Sequence, residues 1–375
     1  MKVSCSQEDL SKGLAVVGRA VATRAVLPIT SNVLVATEDS RLKLAATNLE
    51  IAIVCWIAAT IEEEGTTTIP ARLVTDFVNS LPSGRIDMTQ AANSQSVELT
   101  CARYEAHISG LDASDFPPIP RIAEGTTIKV KPDDLRSAIA QVVFAAASEE
   151  SRPVLTGVYA EFDGDQLTLA AADGFRLAVR KLSLDVPVKE KTAVIIPARA
   201  LTELNRLMSD QEEPVEITIN PKKSQVMFGL RDVEMVSQLI QGTFPNYSQL
   251  IPDSYTTKAI VGLPDFLRAT RSASVFARDG SGIVRLQIMP RDGAGKISIS
   301  ARAEEVGDNL GEIDANVEGE EAKIAFNSKY LVDVLGVLNE AQVALEATTS
   351  SSPGVLRPVG KDNYVHVVMP MFVQW

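Results

Sequence analysis

Residues 157–179 read GVYAEFDGDQLTLAAADGFRLAV, which is an alternating strand, a tight turn at Asp163-Gly164 and a second alternating strand. This pattern predicts a β-hairpin. It occurs earlier at residues 33–53, VLVATEDSRLKLAATNLEIAI, and later from residue 283, IVRLQIMPRDGAGKISISA. Leu44, Leu169 and Ile299 hold the same place in the three copies. The chain therefore repeats itself with a period of about 125 to 130 residues.

A short helix follows each hairpin at the same period. Its copies are IPARLVTDFVNSL (69–81), IPARALTELNRLM (196–208) and FNSKYLVDVLGVL (326–338). Apolar residues at Leu331, Val334, Leu335 and Leu338 have the spacing of an amphipathic helix. Another helix opens each copy, so six helices are predicted, over 6–24, 70–81, 132–147, 197–208, 264–278 and 328–339.

A third marker, Phe116-Pro117 and Phe244-Pro245, lies near the end of the first two copies. Three markers with one period predict three similar domains, at 1–122, 123–252 and 253–375. Each has two helices and many short antiparallel strands, the α+β class. A unit of this size can bury a core of its own, unlike a short solenoid repeat.

The composition is that of a globular protein, with 45% hydrophobic and 22% charged residues among 375. Lys plus Arg number 36 and Asp plus Glu 48, which gives a net charge of −12. This balance argues against a general nucleic-acid binder, although not against a molecule that confines its positive charge to one surface. The six predicted helices carry a small net positive charge, and the strands and loops carry the acidic excess. Scattered solvated helix faces are the alternative explanation.

No segment is apolar for long enough to span a membrane, because the longest apolar run covers residues 51–59. Gln7, Glu8 and Asp9 stand where the apolar part of a secretion signal would begin. We therefore expect a cytoplasmic protein without membrane partners. Cys5, Cys55 and Cys101 have neither disulfide nor metal-knuckle spacing and are predicted to be reduced, buried thiols.

Catalytic chemistry is not indicated, and neither a metal nor a cofactor is expected. His107 and His366 are the two histidines, each in a strand-like stretch, and a hydrogen-bonded structural role is the better interpretation. Gly295-Lys296 fails as a phosphate loop, because Pro290 and Ile297 occupy two of its required positions.

Carboxylates also fall short of a site. Asp163 and Asp165 flank a hairpin turn and, with Asp173, lack the spacing of a calcium loop, so turn chemistry is favoured. Glu304 and Glu305 are better explained as a solvated or interface pair than as a general acid and base.

Seven stretches in order along the chain resemble the β subunit of bacterial DNA polymerase III, the sliding clamp. They are VLPITSN (26–32), IPARLV (69–74), DASDFPPI (112–119), RPVLTG (152–157), ADGFRLAV (172–179), GTFPNY (242–247) and VVMPM (367–371). The resemblance covers the full length. It implies a head-to-tail homodimeric ring with twelve helices around duplex DNA, held through phosphates without sequence preference.

The same resemblance implies a set of partners. They are the replicative polymerase catalytic subunit, an ATP-dependent clamp loader, and repair polymerases and other proteins with a short clamp-binding motif. It also implies a processivity factor of replication that is not itself an enzyme.

Arginines are the expected DNA contacts. Arg24, Arg152 and Arg199 match DNA-contacting positions of the family. Helix placement alone adds five more, for each of which an ordinary solvated arginine is the alternative: Arg72, Arg136, Arg206, Arg268 and Arg271.

The resemblance also implies a partner-peptide groove, for which ordinary core packing is the alternative. Its positions are Leu155, Ala172, Gly174, Phe175, Arg176, Leu177, Pro245, Leu250, Asn327, Tyr330, Val367, Val368, Met369, Pro370 and Met371. Ala172 and Thr156 replace the family's usual Thr and Asn. Phe372 to Trp375 extend past the usual end, and we expect that Trp375 can fold over the groove.

The implied dimer seam pairs an edge strand of the first domain with a helix of the third. Ala106 and Ile108 lie on the strand, and Val275 and Phe276 on the helix. Arg103 is expected to meet Glu304 or Glu305 across the seam.

Two other classes compete with the clamp. A three-domain hydrolase would need convergent acid, base or metal ligands, against which the scarcity of histidine counts. A repeat-built scaffold that binds proteins but not DNA would have the same charge pattern, and retention on circular DNA would separate the two.

Overall fold

The structure is a computed structural model that describes residues 1–22, 26–91, 94–149, 151–277, 282–291, 295–303 and 307–375. Six α-helices lie within these residues. They are α1 (Gln7–Val17), α2 (Ala71–Ser80), α3 (Pro132–Val142), α4 (Ala198–Leu207), α5 (Leu263–Ala277) and α6 (Ser328–Val337). All six predicted helices are thereby confirmed, although α1 and α3 are shorter than expected because each ends in a 3₁₀ turn, at Gly18–Ala20 and Val143–Ala145.

Helix starts follow from local sequence. The Ser6 hydroxyl accepts a hydrogen bond from the Asp9 N–H at the start of α1, and the Asn327 side chain accepts one from the Lys329 N–H at the start of α6. These caps satisfy backbone donors that have no partner within the helix.

The described residues form 25 strands. They are β1 (Lys2–Ser6), β2 (Asn32–Glu38), β3 (Arg41–Thr47), β4 (Ile51–Ala58), β5 (Thr60–Glu63), β6 (Thr66–Pro70), β7 (Arg85–Thr89), β8 (Ser96–Cys101), β9 (Tyr104–Ser109), β10 (Thr126–Val130), β11 (Gly157–Asp163), β12 (Gln166–Ala172), β13 (Arg176–Ser183), β14 (Thr192–Pro197), β15 (Val215–Ile219), β16 (Gln225–Leu230), β17 (Val233–Gln238), β18 (Thr257–Gly262), β19 (Ile283–Met289), β20 (Gly295–Ala303), β21 (Gly307–Gly319), β22 (Ala322–Asn327), β23 (Gln342–Ala347), β24 (Gly354–Pro358) and β25 (Tyr364–Val368).

The chain forms two compact units. Unit 1 comprises Met1–Pro132 and Glu203–Leu239, and unit 2 comprises Asp133–Thr202 and Ile240–Trp375. Unit 1 contains a five-stranded sheet, β5-β1-β7-β8-β9, and an eight-stranded sheet, β10-β15-β16-β17-β4-β3-β2-β6. Unit 2 contains one twelve-stranded sheet, β14-β11-β12-β13-β25-β24-β23-β18-β21-β20-β19-β22. The three predicted hairpins are present as β2-β3, β11-β12 and β19-β20.

Both units contain the same array of eight strands. The order β6-β2-β3-β4-β17-β16-β15-β10 in unit 1 corresponds strand by strand to β14-β11-β12-β13-β25-β24-β23-β18 in unit 2. In unit 1, β4 from the first sequence repeat pairs antiparallel with β17 from the second. In unit 2, β13 from the second repeat pairs in the same way with β25 from the third. The sequence repeat is therefore also a repeat of tertiary structure.

The core consists of the inward faces of these strands and the apolar stripes of the helices. Phe162, Phe228, Phe266 and Phe326 are among the largest fully buried side chains. Cys5, Cys55 and Cys101 are buried and unpaired, as predicted. Burial raises the pKa of Cys5 to about 12 and that of Cys55 to about 11.

Candidate functional site

Several of the predicted groove residues lie in or next to a tight turn at residues 172–176 in unit 2. The Asp173 carboxylate accepts the backbone N–H groups of Phe175 and Arg176 at 2.9 and 3.0 Å. Gly174 has φ 93°, a conformation that costs glycine little and other residues more. The ADGFR sequence thus builds a turn that fixes the start of β13 and leaves the Phe175 side chain 61% exposed.

An apolar floor lies beside this turn. Leu177 on β13 is directly opposite Val367 on β25, and both pack in one buried cluster with Leu155 and Phe244. Ala172 belongs to the same cluster. These positions have the core packing that was the alternative to a groove, so a ligand could reach only their outer surface.

The rim, by contrast, is exposed. Leu250 is 51% and Met369 42% exposed, and the Met369 N–H donates to the Phe175 carbonyl at 2.8 Å. Pro245 is exposed, whereas Pro370 and Met371 are half-buried. The Met371 N–H donates to the Ala325 carbonyl at 2.8 Å, which ties the C-terminal residues to β22.

Arg176 is buried at the centre of the polar contacts. Its guanidinium donates to Asp173 at 2.9 Å, to Asp333 on α6 at 2.7 Å and to the Phe144 carbonyl at 2.6 Å. It also lies 4.4 Å from the centre of the Tyr330 ring. Burial raises the pKa of Tyr330. Arg176 therefore connects the turn to α6 as well as to the end of α3.

Sequence reasoning missed Asp173, Asp333 and Phe144, the partners of Arg176. Asp173 lies inside the ADGFR stretch, so its turn role was visible, but Asp333 and Phe144 are far away in sequence. Asn327, which was predicted for the groove, caps α6 through Lys329.

The two neighbouring valines of β25 point in opposite directions. Arg176 pairs with Val368 and Ala178 with His366, so Val368 lies on the helix-facing side of the strand with His366. Val367 is in the apolar floor on the other side. The structure therefore does not bring Val368 together with the floor residues.

His366 differs from the expected structural histidine. Its ring is fully buried, 5.5 Å from the Phe144 ring, and neither nitrogen has a hydrogen-bond partner among the described residues. The prediction of a hydrogen-bonded histidine is wrong, because the neighbours on this side of β25 are aromatic. Burial, with a smaller contribution from Arg176, lowers the pKa of His366 to about 3. His107 is exposed and lies 3.1 Å from Glu105.

The predicted DNA contacts are exposed arginines, apart from Arg136, which is half-buried, and Arg24, which lies outside the described residues. Four of them lie within 4 Å of a carboxylate one helical turn away: Arg72 of Asp76, Arg136 of Asp133, Arg206 of Glu203 and Arg268 of Asp265. Arg199 and Arg271 are exposed and have no ion pair with any described residue. Arg152 precedes a 3₁₀ turn and not a helix, and its guanidinium lies beside Gly174.

The predicted seam residues lie at two places. Arg103, Ala106 and Ile108 are in or next to β9, which has β8 as its single neighbour among the described strands. Val275, on α5, is 56% exposed, and Phe276 follows it. Glu304 and Glu305 lie outside the described residues.

No helix in the described part of the chain is long and apolar enough to cross a membrane. Within the same ranges, no three His, Cys, Asp or Glu side chains are grouped so that they could hold a metal ion.

Three family models together match nearly the whole chain. Those of the DNA polymerase III β subunit match residues 1–120 (N-terminal domain), 129–246 (central domain) and 248–372 (C-terminal domain). The chain belongs to the DNA polymerase III β-subunit family. The β sliding clamp of Bacillus subtilis (strain 168) is 32% identical over 381 residues, 99% of each chain. That of Staphylococcus aureus (strain Mu50) is 32% identical over 94% of each.

Solved clamps have the same fold. The crystal structure of the Bacillus subtilis clamp superimposes with a TM-score of 0.94 at 31% identity, and that of a Pseudomonas aeruginosa clamp bound to griselimycin with 0.93 at 29%; both comparisons cover 100% of each chain. As a member of this family the chain is a processivity clamp of DNA replication and not an enzyme. A scaffold unrelated to DNA is no longer favoured.

Proposed function

We propose that two copies of the chain close head to tail into a ring that encircles duplex DNA without sequence preference. The observation that carries this proposal is the placement of charge. A chain of net charge −12 has exposed arginines on helices of both units, and two of them, Arg199 and Arg271, form no ion pair with any described residue. Exposed pairs such as Arg268–Asp265 are worth about 0 to 1 kcal/mol, so a phosphate can replace the carboxylate at little cost.

Enclosure rather than tight contact holds the DNA in this proposal. Protein loaded on a nicked circle should remain bound after gel filtration and should be lost when the circle is cut once. Loading needs an ATP-driven clamp loader to open the ring. Equal retention on circular and linear DNA would overturn the topological part of the proposal, and ATP hydrolysis by the purified chain alone would contradict the need for a loader.

The dimer seam is proposed to bring β9 of one copy against α5 of the other, the helix of Val275 and Phe276, and also to join two incomplete sheet edges. β9 in unit 1 has one neighbour, and residues 307–314 of β21 in unit 2 pair with β20 alone. An edge strand with unpaired N–H and C=O groups can pair with another chain. Head-to-tail contact then uses each edge once, and a second copy closes the ring.

Light scattering tests the seam. The wild type is expected at about 80 kDa, twice the chain mass of 40.3 kDa. Val275→Asp, at 56% exposure on α5, should give the monomer. Leu73→Asp, at 54% exposure on α2, is the matched control and should remain dimeric. A monomeric wild type at micromolar concentration would refute the seam.

The groove around the 172–176 turn is proposed to bind short linear motifs of partner proteins. The replicative polymerase catalytic subunit, the clamp loader and repair polymerases are the expected owners of these motifs. The outer surface of the floor offers apolar contact, and the methionines of the rim can repack for different sequences. Affinity should be micromolar, because ordering an extended peptide offsets much of the energy of burying its anchors. The griselimycin-bound Pseudomonas relative supports ligand binding within the family.

The domain limits 1–122, 123–252 and 253–375 and a cytoplasmic location are part of the same proposal. Replication of bacterial DNA takes place in the cytoplasm, which supports the location. Expression of residues 253–375 alone tests the third limit, since a cooperative unfolding transition is expected from an independent domain.

A further inference from the structure

Unit 1 contains a second turn of the same construction as the 172–176 turn. The Asn48 side-chain oxygen accepts the N–H groups of Glu50 and Ile51 at 3.0 and 2.8 Å, as Asp173 does in unit 2. The Asn48 N–H donates to the Ile51 carbonyl at 3.2 Å, and the Asp173 N–H to the Arg176 carbonyl at 3.3 Å. The two turns therefore share one hydrogen-bond pattern.

The strands beside the two turns also correspond. Ala52 lies opposite Val236 in unit 1, as Leu177 lies opposite Val367 in unit 2. The Gln238 N–H donates to the Glu50 carbonyl at 2.9 Å, which corresponds to the bond from Met369 to Phe175. The backbone of the proposed peptide groove is thus built twice in the chain.

The 3₁₀ turn before the first strand of the hairpin is also repeated in the two units. A 3₁₀ turn places the Thr30 N–H on the Leu27 carbonyl at 3.0 Å, and the equivalent turn places the Leu155 N–H on the Arg152 carbonyl at 2.9 Å. Phe116-Pro117 follows in unit 1 where Phe244-Pro245 follows in unit 2, and both phenylalanines are buried.

A cavity is present at this place in unit 1. Its volume is about 90 Å³, and its lining includes Leu49, Ile51, Pro117, Pro118, Val236 and Gln238. This volume admits about three water molecules or one branched aliphatic side chain. A larger cavity of about 210 Å³ shares Pro117, Pro118 and Val236 with it and is also lined by Trp56. The two cavities therefore adjoin along the proline-rich segment 117–120.

The side chains of this second groove have a different chemistry. Leu49 replaces Gly174 at φ 77°, Glu50 replaces Phe175, and Ile51 replaces the buried Arg176. In unit 1 the position of the Arg176 guanidinium is therefore held by the Ile51 side chain, and the position of the exposed Phe175 ring by the Glu50 carboxylate.

Two carboxylates beside the cavities have no ion pair with a described residue, whereas the lysine and the arginine of the larger cavity share one carboxylate. Lys43 and Arg121 both donate to Glu38, at 3.1 and 2.7 Å. Glu50, next to the small cavity, and Glu234, next to the large one, have no ion pair with any described residue. A ligand with positive charge on either side of its apolar anchor complements this arrangement.

We propose that this groove in unit 1 binds a short extended peptide whose aliphatic centre, with one branched residue as the anchor, has Lys or Arg on each side. The inference takes the extended form of the ligand from the groove proposed for unit 2. The aliphatic side chain enters the cavity at Leu49, the backbone follows the 117–120 segment, and the cations meet Glu50 and Glu234. Partners with the motif of the unit 2 groove are not expected here, because the arginine and the exposed phenylalanine are missing.

Trp56 provides the readout, because the chain has two tryptophans and the variant Trp375→Phe leaves Trp56 alone. Acetyl-KLVK-amide is titrated into this variant, and acetyl-ELVE-amide is the charge-reversed probe. The basic peptide should change the Trp56 emission and saturate, whereas the acidic one should bind at least about fivefold more weakly.

Substitutions locate the site. Glu50→Lys should weaken acetyl-KLVK-amide at least about fivefold, whereas Glu64→Lys, an exposed acid on the same unit, should leave binding unchanged. Phe175→Ala in unit 2 should also leave it unchanged. Equal binding of the two probes, equal effects of Glu50→Lys and Glu64→Lys, or a loss caused by Phe175→Ala would overturn the proposal. A polymerase-type motif peptide tested against Phe175→Ala reports separately on the unit 2 groove, so the two failures are distinguishable.

Discussion

Replacement of Arg176 by alanine is the sharpest test of how the unit 2 groove is built. The Arg176 side chain is 7% exposed and donates to two carboxylates and a carbonyl. Its removal leaves Asp173 and Asp333, at 14% and 23% exposure, without the guanidinium. Asp333 still accepts a hydrogen bond from Lys329 at 2.6 Å, and Asp173 still accepts two from backbone N–H groups. Both carboxylates therefore keep part of the hydrogen bonding that offsets the burial of their charge.

The size of the effect follows from these contacts. Breaking a buried ion pair by removing one partner costs about 3 to 5 kcal/mol, and the bonds that remain place Arg176→Ala at the lower end, about 3 kcal/mol. Arg176→Lys keeps a positive charge but loses the fork that reaches Asp173, Asp333 and the Phe144 carbonyl together, so about 1 to 2 kcal/mol is expected. Arg231→Ala, at an arginine 76% exposed, should stay within about 0.5 kcal/mol of wild type.

Urea unfolding followed by circular dichroism measures these differences, with the midpoint shift multiplied by a common m-value. Asp173→Ala and the double variant complete a double-mutant cycle, and a coupling of about 1 kcal/mol or more is expected between contacting groups. Affinity for a motif peptide should fall in parallel, because the turn is released. A loss below about 1 kcal/mol in Arg176→Ala, or additivity in the cycle, would refute the view that Arg176 holds the groove together.

Three further outcomes are expected. The pKa of His366 is about 3 in the folded chain and about 6.5 when unfolded, so the unfolded chain binds more protons between these values. Between pH 6.5 and pH 3 the free energy of unfolding should therefore decrease by up to about 1.4 kcal/mol for each pH unit, and urea titrations of His366→Phe should lack this contribution. Arg199→Glu with Arg271→Glu should flatten the slope of log affinity for DNA against log salt by about 2, whereas Arg231→Glu should not. Deletion of Met371–Trp375 should leave the dimer mass unchanged by light scattering and abolish peptide binding, because the C-terminal segment that is bonded to the Ala325 carbonyl is removed. Unchanged peptide affinity would refute the groove assignment.

Local features were predictable from sequence, whereas their assembly was not. Period-two alternation identified the β11-β12 hairpin, and the spacing of Leu331, Val334 and Leu335 identified α6, because both patterns depend on neighbours within a few residues. The pairing of β4 with β17 joins residues nearly two hundred positions apart, and no local pattern specifies it. The expected position of Trp375 over the groove is likewise a long-range contact, which no local pattern specifies. In the structure its ring lies 6.0 Å from the Lys323 ammonium on β22.

The candidate site shows the same division in more detail. Resemblance supplied Leu177 and Val367, and β pairing brings them together in the floor. It also supplied Val368, which strand alternation turns to the opposite side, towards the fully buried His366. A list of positions taken from a motif does not distinguish the two faces of a strand unless the register is known.

The two turns indicate which part of the repeat is constrained and which part is free to diverge. Asn48 and Asp173 make the same backbone bonds because either side chain can accept two N–H groups in a turn. The next residue is Leu49 in one copy and Gly174 in the other, both at positive φ, so the turn geometry persists even where leucine adopts it at a cost. Since the backbone bonds persist while the outward side chains differ, ligand choice in each unit depends on a few exchanged side chains. Exchange of Glu50 for Phe or of Phe175 for Glu should then change which peptide a groove accepts without changing the fold.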